Sequence, residues 1–159
     1  RANIPDRLIK PVTAPSIMRV LRTLERILVA RRVLVVDPAP ATAKVIRRVL
    51  ADSRFRLLID VADNAVDALL MHTSRPYDVV LYDLATPGEK PAPVLQRLKS
   101  IEPRRHVFVL STEPAKVVFR HAPMDKIDGF LPKPFKVRQF DQMLRRLYGL
   151  GQSELAPAA

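Results

Sequence analysis

The sequence predicts a doubly wound α/β fold, and three observations predict it. Uninterrupted apolar runs recur at 33–36, 79–82 and 107–110, as in strands of a parallel sheet covered on both faces. Between the runs, apolar residues recur at helical spacing. Each run then stops at a polar residue, Asp37, Asp83 or Ser111, and in this class ligands gather beyond the carboxyl ends of strands.

Taken in order, Val33–Asp37 within RRVLVVDPAP is the first strand. A helix over Ala41–Ala51 follows, with Ile46, Val49 and Leu50 on one face. Leu57–Ala62 reads as a shorter strand and Ala65–His72 as a helix carrying Ala68, Leu69 and Met71. The strand Val79–Asp83 ends on a carboxylate and breaks into a Pro-Gly turn, after which Val94–Ile101 is helical. Val107–Leu110 is a fourth strand, Ala115–Arg120 a short helix, and Gly129–Lys133 the last strand. Val137–Tyr148 closes the series, with Phe140, Met143, Leu144 and Leu147 on one side. Five strands alternating with five helices give the α/β winding. Ahead of them, residues 14–30 place Ile17, Val20, Leu21, Leu24, Ile27 and Leu28 on one stripe, with Arg19, Arg22 and Arg26 largely elsewhere, which adds an N-terminal helix.

Composition limits the alternatives. A chain of 159 residues, 48% apolar, is long enough for one packed domain plus an appendage. No apolar run approaches the ~18 residues of a membrane span, so a soluble protein is expected. The absence of cysteine removes disulfides and thiolate metal sites and suits a cytoplasmic place. The first residue is Arg1 rather than Met, so a piece of a longer chain is expected. Of the net charge of +11, +9 falls in residues 1–56; that bias suits either an anionic partner or a solvated basic face.

Folding would gather Asp37, Asp83, Ser111 and Lys133 at one edge of the sheet, because each falls at the end of a predicted strand. The segments VLVVD, YDVVLYDLATP with Pro87 four positions after Asp83, VFVLST and DGFLPKPF resemble the CheY-like receiver domain of two-component response regulators. The likeness covers roughly residues 32–149, and spacings of 46, 28 and 22 residues between the four polar groups suit that family.

The resemblance implies a flavodoxin-like sheet in the order 2-1-3-4-5. It makes Asp83 the acceptor of a phosphoryl group from a phosphohistidine on a histidine kinase or histidine phosphotransfer protein. The chain is then no enzyme beyond self-catalysed transfer and hydrolysis. A carboxylate attacking a phosphoryl group is anion meeting anion, so neutralising charge is required. Mg²⁺ would be held by Asp37, Asp83 and the Ala85 backbone carbonyl. Lys133 would pair with one phosphate oxygen and Ser111 hydrogen-bond another, while Phe130 would swing inward as the switch residue.

Departures from the family pattern matter most at the metal. Receivers carry two adjacent acidic residues after the first strand, and here the pair reads Asp37-Pro38, so the direct metal ligand is missing and Mg²⁺ should bind weakly or not at all. HAPMDKID replaces the usual small-residue run, which points to a short or irregular fourth helix of the receiver. Pro132 requires an edge strand, and the Lys133-Pro134 bond is cis in the family's usual arrangement. His72, His106 and His121 show no ligand spacing and read as surface or packing residues.

LIKPVTAPSIMRVLRTLERI (8–27) lines up with LPKPFKVRQFDQMLRRLYGL (131–150) at an offset of 123, with Leu, Lys, Pro, Leu, Arg and Leu coinciding. That spacing suggests tandem units. Residues 1–30 then resemble the last strand and helix of a preceding receiver, 31–150 form the receiver, and 151–159 are a flexible tail or linker. Three functions stay open: a phosphorylated receiver signalling through protein contacts, a pseudo-receiver serving as a phosphorylation-independent interaction or dimerisation module, and a basic module for nucleic acid or an anionic nucleotide. Without interleaved aromatics, nucleic acid is the least supported. The exposed apolar stripe predicts a homodimer through the N-terminal helix.

Overall fold

The computed structural model describes residues 13–123 and 125–149. Those residues form α1 (Ala14–Leu28), β1 (Arg31–Val36), α2 (Pro40–Ala51), β2 (Leu57–Ala62), α3 (Ala65–Ser74), β3 (Val79–Asp83), α4 (Pro91–Ile101), β4 (His106–Ser111), α5 (Ala115–His121), β5 (Gly129–Pro132) and α6 (Val137–Leu147). The strands make one parallel sheet in the order β2-β1-β3-β4-β5, as expected. The predicted strand at the front of residues 1–30 and the tail 151–159 lie outside the described residues.

Side chains of the central strands alternate between two apolar layers. Leu34, Val36, Val80, Tyr82 and Val109 point to the layer closed by α3 and α4, with Leu95 and Leu98 buried among them. Val33, Val35, Leu81, Phe108 and Leu110 point to the other, where α2 contributes Ile46 and Leu50 and α6 contributes Phe140 and Leu144. Each fully buried Leu or Phe side chain stabilises the fold by ~1.5–3 kcal/mol before ordering costs. Gly129 allows β5 to approach β4, since a Cβ there would sit 3.1 Å from the Phe108 ring.

Boundaries differ from the sequence reading in ways that bear on the site. β1 ends at Val36 and β5 at Pro132, so Asp37 and Lys133 lie one residue beyond their strands rather than on them. α4 starts at Pro91, three residues before the expected Val94, because the first helical position needs no N–H partner and tolerates proline. α5 is short, at seven residues, and Pro132 does sit on an edge strand. The Lys133-Pro134 bond is cis.

At the opposite edge of the sheet, Asp128 fastens β4 to the end of α4. Its Oδ2 accepts from the Val107 N–H at 2.7 Å and the Lys99 Nζ at 2.8 Å, and its Oδ1 lies 3.4 Å from His106 Nδ1. Burial pushes this carboxyl up, but His106, Lys99 and the Val107 N–H outweigh burial and hold it at about 2. A depressed carboxyl stabilises the fold fully above its ordinary value and loses that contribution as pH falls towards 2. Asp128→Asn should therefore reduce unfolding free energy by about 1 kcal/mol at neutral pH, solvent screening at this exposed residue cutting the full effect of the shift. In denaturant titrations at descending pH, the gap between variant and parent should close below about pH 4.

Candidate functional site

Strand register assembles the site. Val36 is level with Tyr82, so Asp37 and Asp83 come side by side one step on. Asp83 is level with Leu110, placing Ser111 one step beyond, and Ser111 is level with Pro132, placing Lys133 next. The Lys133 backbone N–H donates to the Ser111 carbonyl at 2.8 Å, which fixes the last pair.

The carboxylates are almost wholly buried, Asp37 at 1% and Asp83 at 3% exposure. Lys133 Nζ donates to Asp37 Oδ2 at 2.8 Å and also to Asp83 Oδ2, so one ammonium bridges both. Burial opposes the charge of Lys133, but the hydrogen bonds to Asp37 and Asp83 and their charges outweigh it and raise its pKa above the ordinary lysine value. The remaining carboxylate oxygens are held by the chain, Asp37 Oδ1 by the Ala39 N–H at 2.9 Å and Asp83 Oδ1 by the Ala85 N–H at 2.7 Å. Ser111, 5% exposed, accepts from the Glu113 N–H at 3.0 Å, which leaves its hydroxyl proton available to donate.

Asp37 and Asp83 stand side by side, and paired carboxylates are the donors a hard divalent ion uses together with phosphate oxygens. Pro38 adds no carboxylate to the pair. Among the described residues, no group of three His, Cys, Asp or Glu side chains converges.

Phe130 is half-buried and meets Phe119 edge-on, with ring centroids 6.4 Å apart. His72 is fully buried, with Nδ1 accepting the Tyr77 N–H at 3.0 Å, and so is a packing residue as expected. His121 stands elsewhere: together with Lys90, Glu113 and Arg120 it lines a cleft of about 710 Å³ that opens from Asp83, Ser111 and Lys133. The sequence reading did not place Lys90, Glu113 or Arg120 here, and it read His121 as a surface or packing residue, which its exposure bears out. Their signal was position, since each lies on a loop or short helix following the C-terminal end of β3 or β4.

Comparison with known proteins agrees with this geometry. The family model for the response regulator receiver domain matches residues 33–145. The chain is 29% identical over 136 residues to the sensor histidine kinase GacS of Pseudomonas protegens, covering 80% of this chain but only 14% of that kinase. It is 24% identical over 107 residues to the chemotaxis protein CheY of Halobacterium salinarum, covering 67% of this chain and 88% of CheY. Among crystal structures, the receiver domain of the sensor histidine kinase PA1611 of Pseudomonas aeruginosa superposes with a TM-score of 0.67 at 19% identity, over 76% of this chain and 99% of that one. That structure holds a magnesium ion in its active-site cleft. Strand order, the four polar groups at one sheet edge and the family match over 33–145 agree, and the chain belongs to the response regulator receiver domain family.

Proposed function

We propose that this receiver works in a cytoplasmic phosphorelay, taking a phosphoryl group on Asp83 from a phosphohistidine of a histidine kinase or phosphotransfer protein and signalling by protein contacts. The observation that carries this reading is the single half-buried ammonium shared by Asp37 and Asp83 beside a hydroxyl with a proton to give. A carboxylate oxygen of Asp83 attacks phosphorus; the new P–O bond forms as the P–N bond breaks, and the electron pair leaves on the imidazole nitrogen, which is protonated. Lys133 neutralises one phosphoryl oxygen and Ser111 donates to another. Phe130, half-buried beside Phe119 and packed against the core, is the ring that would move inward after them. Mg²⁺ bound by Asp37, Asp83 and the Ala85 carbonyl would supply further neutralisation of the phosphoryl oxygens. No turnover is involved beyond self-catalysed transfer and hydrolysis. Incubation with a small phosphodonor and Mg²⁺ should add one phosphoryl mass, and no gain over hours would refute the reading.

One observation favours a second reading, a pseudo-receiver acting without phosphate. Every oxygen of both carboxylates already has a donor from the chain, and Pro38 removes the acid that would draw in the metal. Contacts unchanged by phosphodonor treatment would select this reading.

α2 supports the partner assignment. Lys44, Arg47 and Arg48 are exposed on it, beside an apolar groove lined by Val45, Ile46, Val49, Pro134 and Phe135. A histidine-bearing partner with an acidic surface should associate at a rate that falls as salt rises. Stopped-flow rates that stay level between low and high ionic strength would remove the role of charge.

A homodimer through α1 is part of the same proposal. Val20, Leu21 and Leu28 on α1 are 56%, 51% and 65% exposed, which is unusual for a helix of this apolar content. Light scattering should give twice the chain mass for residues 1–159 and a single chain mass for a version starting at Arg31. Equal masses would exclude α1 as the dimer element.

A further inference from the structure

We infer that α1 is the closing helix of a second receiver-type unit, and that its apolar stripe fits the face of a parallel sheet built like the one beneath α6. What covers such a stripe is visible in the chain itself. Aligned at the offset of 123, Ile17, Leu21 and Leu24 of α1 correspond to Phe140, Leu144 and Leu147 of α6. Phe140 and Leu144 are fully buried, and Leu147 packs against the same layer of Val33, Val35, Leu81, Phe108 and Leu110. Their counterparts on α1 are 45%, 51% and 45% exposed.

The same stripe, in the same order, is thus filled by a sheet in one helix and left open in the other. Chance similarity between amphipathic helices would place apolar residues at helical spacing. It would not place Lys10-Pro11 seven residues before Ile17, as Lys133-Pro134 precede Phe140. Lys133 is the cation of the site, so the repeat carries both the functional lysine and the helix that follows it.

The test is a graft within the full chain, with residues 8–27 replacing 131–150. Folding is the readout, so the result is separate from phosphoryl transfer. The graft brings Lys and Pro to positions 133 and 134 unchanged and is made with Val12→Phe and Met18→Asp, which keep the buried Phe135 ring and the Asp141 carboxylate that accepts from Ser53 and the Arg54 N–H; Ile in place of Phe140 leaves a cavity that Ile17→Phe within the graft refills. One control exchanges Leu21 with Arg22 and Leu24 with Glu25, which keeps composition and breaks the stripe. Another places Pro40–Ala51, an amphipathic helix from elsewhere in the fold, at 137–148.

The expected result is a single cooperative thermal transition for the graft, restored towards the parent melting temperature by Ile17→Phe, and loss of that transition in both controls. Two outcomes would overturn the inference. Either the refilled graft melts without a cooperative transition, like the controls, or the Pro40–Ala51 graft folds as well as the α1 graft, so that the stripe carries no receiver-specific fit.

Discussion

Asp83→Asn should abolish the gain of phosphoryl mass expected of the parent while leaving the fold intact. The amide is nearly isosteric with the carboxylate but has no anionic oxygen to attack phosphorus, so the loss should be to background rather than partial. Stability should hold, because two buried carboxylates share one ammonium in the parent. Removing one relieves their mutual repulsion and leaves the Asp37–Lys133 pair, at 2.8 Å, closed. The Ala85 N–H keeps an acceptor in the amide oxygen. Intact-mass measurement after phosphodonor treatment, with a thermal melt of the same sample, reads both halves of the expectation. Equal labelling of parent and variant would move the acceptor elsewhere, with Asp37 and the cleft-lining His121 the first to examine. A melting temperature well below the parent would show that Asp83 holds the fold rather than only the chemistry.

The site residues were legible because a parallel sheet turns position along the chain into position in space. Once 33–36, 79–82 and 107–110 are read as buried strands, the residues following them must share an edge, and the structure places Asp37, Asp83, Ser111 and Lys133 there. Strand ends were misread by one residue at Asp37 and Lys133 for the same reason: these side chains end the apolar run, and only ladder hydrogen bonds tell whether they belong to the strand. Lys90, Arg120 and His121 were not legible as a group, since a loop and a seven-residue helix bring them round the cleft. Asp128 gave no sign either, because its partners Lys99, His106 and Val107 come together only when α4, β4 and the turn before β5 pack at the far edge. For α1, helical spacing announced the stripe; what covers it is a tertiary question that spacing cannot answer.

Pro38→Asp should tighten Mg²⁺ binding by at least about 10-fold, since a change in even an outer partner of a metal ligand typically alters affinity by ~10–100-fold. The substitution adds a carboxylate next to Asp37, at the edge it shares with Asp83, and carboxylate oxygen is the donor a hard cation prefers. Without metal the same change should lower stability. Lys133 is the only Lys or Arg ion-paired to Asp37 or Asp83 among the described residues, and a third acid would add negative charge that this ammonium does not offset. Parent and variant should therefore respond to Mg²⁺ in opposite proportion to their starting points, the parent melting higher in chelator and gaining little, the variant melting lower and gaining much. Thermal melts in chelator and across a Mg²⁺ titration separate the two effects. Equal Mg²⁺ affinity in the two proteins would show that another oxygen already fills the position beside Asp37. An unchanged melting temperature in chelator would show that the added carboxylate points to solvent and never joins the site.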